Sequence, residues 1–429
     1  MTTAAGATPT DGRPKSSRSI GWIVAASLIA GAVAAIVLVG FVFAGAEEHV
    51  ITGSAMIGFG LGWALLALLS VWLTDQPQRW AIVPAAYMML VGAGLLISEP
   101  SDETMTLLGW VWPPVLLALV VWMFVQARKH LRSRARVWLL YPVLGVLALA
   151  ALGGVYGAIR ESIESDVIQM PGELVDVGGY RLYVNCAGSG SPTVVLEAGL
   201  WQSSAYWESI ATAVAADTRV CVYDRAGRGQ SDPAPGPQDG IAIATDLHAL
   251  LDGVQVDGPY LLVGHSSGGV YVKIFASEYP DEVAGMVLLD AQPIEALIEL
   301  PNYPAFYDRT RTISALAPSL ARLGVFPVAF ARSVRDEFAE LPTALQQAAA
   351  LTSLGDRPLI VVTAAAEAEE GWPPLQERML NLSTNSVHRV LADATHASLI
   401  EDESDAAVAS QAILDAVESV RTGTQVADS

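Results

Sequence analysis

At 429 residues the chain has room for two or three domains, yet 52% of it is hydrophobic and only 16% charged, against roughly 25% charged in an ordinary soluble domain. Residues 1–159 carry nine Lys/Arg and seven Asp/Glu, a net of +2, whereas residues 160–429 carry fifteen and thirty-seven, a net of −22. An acidic domain behind a sparsely charged apolar one excludes nucleic acid as the expected partner, because phosphate binding needs Lys and Arg to displace counterions.

Five apolar runs follow one another: Ile20–Ala44, Ile51–Leu73, Trp80–Ile97, Met105–Ala127 and Val137–Ile159. Each has about the 17–25 residues that cross a bilayer core of about 30 Å, and none contains a charge. Basic residues fall before the first run (Arg13, Lys15, Arg18), between the second and third (Arg79), and between the fourth and fifth (Arg128, Lys129, Arg132, Arg134, Arg136). The other two loops hold Glu47 and Glu48, then Glu99, Asp102 and Glu103, with no Lys or Arg. The positive-inside rule therefore places the amino terminus in the cytoplasm and everything after the fifth span outside the cell membrane. Ala44-Gly45-Ala46 resembles a signal-peptidase site, but the preceding run exceeds a secretory core and is read as an uncleaved helix. Gly53, Gly58, Gly60 and Gly62 in the second span suit close helix packing. No Asp, Glu, Lys, Arg or His lies within a run, which gives an ion or proton path no support.

From about Pro171 the pattern becomes short β-rich runs alternating with helical stretches, the mark of a mostly parallel sheet covered by helices. Eight strands are expected, near Glu173–Val177, Arg181–Cys186, Thr193–Glu197, Arg219–Tyr223, Tyr260–Val263, Gly285–Leu289, Leu359–Thr363 and Val387–Leu391. After the fifth comes Gly264-His265-Ser266-Ser267-Gly268, then the helical stretch Val270–Ser277. Gly-x-Ser-x-Gly between an apolar strand and a helix puts a serine on a sharp turn, with helix-terminal N–H groups facing developing negative charge.

On these residues the segment from Pro171 to Val420 resembles the α/β-hydrolase family. Val222–Asp232 looks like that family's turn after its fourth strand, Val194–Trp201 like its oxyanion loop, and Leu391–His396 like the loop of its catalytic histidine. The resemblance implies Ser266 as nucleophile and His396 as general base, then acid. It implies an oxyanion hole from the amide of Ser267 and one near Leu200, where Ala198-Gly199 replaces the His-Gly of many relatives. Trp201 and His265 are candidate substrate contacts; a Trp packed on the turn and a His aimed elsewhere are the alternatives. For the acid two candidates stand: Asp290, directly after the sixth strand, and Glu367, after the seventh. Asp290 is preferred for its clear register. Cys186 and Cys221 fall on strands that neighbour each other in the family's sheet, so a disulfide is permitted outside the cytoplasm; two buried thiols are the alternative. No ligand spacing calls for a metal, and no cofactor is expected.

The chain thus divides into a cytoplasmic tail (1–19), a five-helix all-α transmembrane domain (20–159), a linker (160–170), an α/β-hydrolase domain (171–420, with a helical cap near 291–357) and a tail (421–429) that reads as disordered. The expected activity is hydrolysis of a small-molecule or lipid carboxylic ester on the extracytoplasmic face of the bilayer. The same residues would serve a peptidase, amidase or acyltransferase, and a non-catalytic binding or sensing protein is the rival class. Aspartate in place of Ser266 would have pointed to an epoxide hydrolase or dehalogenase. Oligomeric state has no signature.

Overall fold

The computed structural model describes residues 19–132, 134, 136–164 and 171–427. Arg13, Lys15 and Arg18 of the expected cytoplasmic tail, and 165–170 of the expected linker, lie outside the described residues. Two compact units are present: Met1–Ala158 with Arg322–Val325, and Ile159–Ala321 with Phe326–Ser429.

The first unit holds five helices, α1 (Ser19–Val37), α2 (Glu48–Leu73), α3 (Ile82–Ser98), α4 (Asp102–His130) and α5 (Tyr141–Glu164). Together with short flanking turns they give five segments of 20 to 29 residues, long and apolar enough to cross a membrane. Each apolar run lies on its own helix, and α5 continues to Glu164, so the first part of the expected linker is helical. Glycine sets the packing of α2. A Cβ at Gly58 would stand 2.4 Å from the Ala35 nitrogen on α1, and one at Gly53 would stand 2.9 Å from the Gly92 carbonyl on α3. Without those side chains the backbones approach closely, the route by which helices associate in lipid.

The second unit is built on one eight-stranded sheet. Its strands are β1 (Glu173–Asp176), β2 (Arg181–Ala187), β3 (Thr193–Glu197), β4 (Val220–Tyr223), β5 (Tyr260–His265), β6 (Val283–Leu289), β7 (Leu359–Ala364) and β8 (Ser386–Leu391). They lie in the order β1-β2-β4-β3-β5-β6-β7-β8. The pairs β1–β2 and β2–β4 are antiparallel, and every pair from β4 onward is parallel. Central strands are buried on both faces, as the helix-covered parallel sheet requires: Leu262 packs into one core, and its neighbours Leu261 and Val263 into the other. Helices α7 (Gly240–Gly253) and α8 (Gly268–Glu278) cover the first face. Helices α6 (Glu208–Ala215) and α14 (Glu403–Thr422) cover the second. Between β6 and β7 the chain makes α9 (Ala296–Glu299), α10 (Tyr303–Ala321) and α11 (Val328–Ala348), where the cap was expected. Two short helices complete the unit, α12 (Trp372–Arg378) and α13 (Ser398–Glu401).

One expectation is corrected at the carboxy terminus. Arg421 belongs to α14 and pairs with Asp217 at 2.6 Å, and the Val426 N–H donates to Asn385 at 2.8 Å. The segment from Arg421 to Ala427 is held by these side-chain bonds, which no local sequence pattern announces. Cys186 and Cys221 face each other across β2 and β4 with Cα atoms 4.1 Å apart and form a disulfide.

Candidate active site

Strand β5 runs straight into Ser266, whose φ of 56° lies in the left-handed region that side chains avoid. The turn is possible because its neighbours are glycines. A Cβ at Gly268 would stand 2.3 Å from the Glu197 carbonyl, and one at Gly264 would meet Gly268 at 2.6 Å. Two backbone bonds fix the elbow to the end of β6: the Ser266 N–H donates to the Leu289 carbonyl (3.2 Å), and the Gln292 N–H donates to the Ser266 carbonyl (2.9 Å). Of the five described non-glycine residues with positive φ, three stand around this point, Trp201 (68°), Ser266 (56°) and Asp290 (41°). Strain so clustered is held by surrounding structure and marks a working site.

Asp290 begins the loop after β6 and is 3% exposed. Its Oδ2 lies 2.6 Å from His396 Nδ1, while Oδ1 accepts from the Trp372 indole (2.8 Å) and the Ala364 N–H (3.3 Å). The carboxylate is thereby fixed on three sides. The imidazole of His396 is exposed beyond it, with the Trp372 ring edge-on at 6.4 Å between centroids. Glu367, the other candidate acid, is exposed and lines the same cavity, with no hydrogen bond to His396. The reason is one of reach: the loop after β7 places Glu367 at the rim, whereas the end of β6 delivers Asp290 to the imidazole.

Ser266, Ser267, Leu200, Trp201, Asp290 and His396 all border one cavity of about 420 Å³. The amides of Leu200 and Ser267 have no acceptor among the described residues, while the Gly199 N–H is occupied by Gln202 Oε1 at 2.9 Å. A Cβ at Gly199 would meet Ser266 Cβ at 3.0 Å and His265 Nδ1 at 3.2 Å, so the loop needs glycine there. Trp201 stands half exposed at the cavity, edge-on to Phe338 of α11 at 6.2 Å. No described hydrogen bond joins Ser266 directly to His396; such bonds are commonly long in free enzymes and tighten on the reacting complex.

His265 is corrected as a substrate contact. It is 1% exposed and absent from the cavity wall, because its ring turns inward behind Ser266. There Nε2 donates to the His396 carbonyl (2.9 Å), and Nδ1 lies 3.1 Å from Gln202 Oε1. Burial, helped by the neighbouring His396, pushes its pKa down to about 3, so it stays neutral at working pH. His265 thus bonds to the loop that carries His396 and packs against Gln202.

A buried ion network, unmarked in the sequence, holds the same loop from the other side. Arg225, in the turn after β4, donates to the carbonyls of Ala198 (2.6 Å) and Gly199 (3.0 Å). It also pairs with Glu197 at 2.5 Å and with Glu337 of α11 at 2.5 Å. Arg228 makes a second pair with Glu337. All four charges are nearly free of solvent, the case in which losing one partner is costly.

Comparison with known proteins follows the geometry. Residues 192–378 match the family described as the alpha/beta hydrolase fold. The crystal structure of DBJA (mutant dbja delta) superimposes with a TM-score of 0.51 at 19% identity, covering 59% of this chain and 100% of that one. The second unit has the α/β-hydrolase fold. Among curated relatives, the uncharacterized protein YqjL of Bacillus subtilis is 28% identical over 226 residues, 49% of this chain and 81% of its own length. A putative carbamate hydrolase, RutD of Azorhizobium caulinodans, is 30% identical over 113 residues, 26% of this chain and 42% of its own length. The chain spans only 18% and 30% of the length of two further curated relatives.

Proposed function

We propose that the protein is a membrane-anchored serine hydrolase that cleaves a carboxylic ester through an acyl-Ser266 intermediate on the extracytoplasmic side. The observation that carries this reading is the hydrogen bond of 2.6 Å from His396 to a buried, fully ligated Asp290, on the wall of the cavity that holds Ser266. His396 Nε2 takes the hydroxyl proton as Ser266 Oγ attacks the acyl carbon, and the resulting imidazolium is stabilised by Asp290. The free amides of Ser267 and Leu200 receive the oxyanion. Collapse of the tetrahedral intermediate expels the alcohol, which takes the proton back from His396. Water, deprotonated by the same imidazole, then releases the acid and regenerates Ser266.

The basic loops between the apolar helices support the outward placement. The Cys186–Cys221 bond agrees with it, since disulfides persist in oxidising compartments. A bilayer on hand favours a hydrophobic or lipid ester among small-molecule substrates. The test is turnover of p-nitrophenyl butyrate by the full chain in detergent, beside Ser266→Ala and His396→Ala. Each variant is expected to lose about 10⁴-fold or more in kcat. Unchanged turnover in a folded Ser266→Ala protein would refute the reading.

A further inference from the structure

The cavity beside Ser266 is chemically one-sided. It is bordered by five aromatic rings besides His396 and by three carboxylates, Asp290, Glu367 and Glu369, and no Lys or Arg borders it. Asp290 is committed to His396 and Trp372. Glu367 and Glu369 are not: Glu369 accepts the Asn302 N–H at 2.8 Å, and Glu367 stands exposed at the rim.

The acidic and aromatic walls coincide. Tyr303 is buried enough to raise its phenol pKa, and the nearby charge of Glu369 raises it further. Its ring lies 5.7 Å from Phe306 and 6.4 Å from Trp372, whose own ring stands 6.4 Å from His396. A run of aromatic rings therefore leads from the His396 imidazole towards Glu369. A second, independent observation concerns the cavity's uncharged polar groups. Gln292 and Ser267 are 4% and 2% exposed, and both border the cavity. Among the described residues Ser267 Oγ completes no hydrogen bond, whereas Gln292 lies against the Tyr303 phenol. A buried polar group left so is costly and calls for a partner.

We infer that the substrate carries a positively charged ammonium group on one arm of its ester. The aromatic faces of Tyr303, Phe306 and Trp372 attract that group through their ring quadrupoles, and Glu367 and Glu369 add direct charge. Ser267 Oγ meets an uncharged polar atom nearer the ester. An ester bearing a carboxylate is rejected, because no cation on the wall offsets its repulsion from the two glutamates.

This inference rests on Ser266 being the nucleophile, and the experiment separates the two. Full-length protein in detergent is assayed for kcat/KM on acetylcholine, on its uncharged isostere 3,3-dimethylbutyl acetate, and on 4-acetoxybutyrate. To cover the acyl arm, p-nitrophenyl 4-(trimethylammonio)butyrate is compared with p-nitrophenyl 5,5-dimethylhexanoate. The cationic member is expected to lead its isostere by ~10-fold on at least one arm, with 4-acetoxybutyrate the poorest of the acetates. The double variant Glu367→Gln/Glu369→Gln should lower the cation-to-neutral ratio several-fold, leaving only the share of the rings, while Glu370→Gln, off the cavity wall, keeps it. Hydrolysis of the neutral esters with no cationic preference, or with a preference untouched by the double variant, overturns the inference and leaves the serine mechanism standing. Hydrolysis of no ester, with Ser266 unlabelled by a fluorophosphonate, overturns both.

Discussion

Lys273 offers a quantitative test of the packing behind the nucleophile. It lies on α8, is 3% exposed, and its ammonium reaches only the sulfur of Met379 at 3.4 Å. Burial pushes its pKa down from 10.5 to about 8. At about 1.4 kcal/mol per tenfold change, the ammonium costs the fold about 3 kcal/mol at pH 7. The sign follows from linkage. Between pH 8 and 10.5 the unfolded chain holds this proton more tightly than the folded one, so stability should rise with pH across that window; below 8 the whole cost is present. Lys273→Met keeps an unbranched stem and removes the charge. It is expected to gain about 3 kcal/mol at pH 7, roughly 5–10 °C in melting temperature for a domain of this size. The gain should shrink towards zero near pH 10.5. The assay is thermal unfolding of the full chain and its variant in detergent at several pH values, followed by near-ultraviolet circular dichroism. A variant that melts at or below the wild-type temperature at pH 7, or a difference that does not change with pH, would refute the reasoning.

Two further perturbations bear on the site and its scaffold. Asp290→Asn should lower ester-hydrolysis kcat by about 10⁴-fold through loss of the imidazole's partner, whereas Glu367→Gln should cost no more than about fivefold, the scale of an exposed charge; steady-state kinetics on a neutral ester decide between the two acids. Replacing both Cys186 and Cys221 by Ser opens a loop with a sequence separation of 35 residues and should cost about 3–4 kcal/mol, read as a lower melting temperature that reductant no longer changes.

What was legible in the sequence was local. The spans announce themselves because none of the five apolar runs holds a charge, and a bilayer demands that over every turn. The strands were readable because both faces of the sheet are covered, which leaves β5 to β7 as unbroken apolar runs. Ser266 was readable because the elbow's glycines, strand and helix are adjacent in the chain. What was not legible depends on contacts between distant residues. Trp372 holds Asp290 across 82 residues, Gln202 meets His265 across 63, and Glu337 meets Arg225 across 112. Choosing between Asp290 and Glu367 required knowing which loop reaches His396. The inward turn of His265 was equally hidden, because it depends on the His396 carbonyl being there to accept from it.

The central claim is an activated Ser266 facing the outside of the cell. Its most direct test is labelling of intact cells with a membrane-impermeant fluorophosphonate, comparing wild type with Ser266→Ala. The account predicts that the wild-type protein labels in intact cells and that the variant does not. Labelling that appears only after lysis would contradict the outward placement, and a folded wild-type protein that labels under neither condition would contradict the catalytic serine itself.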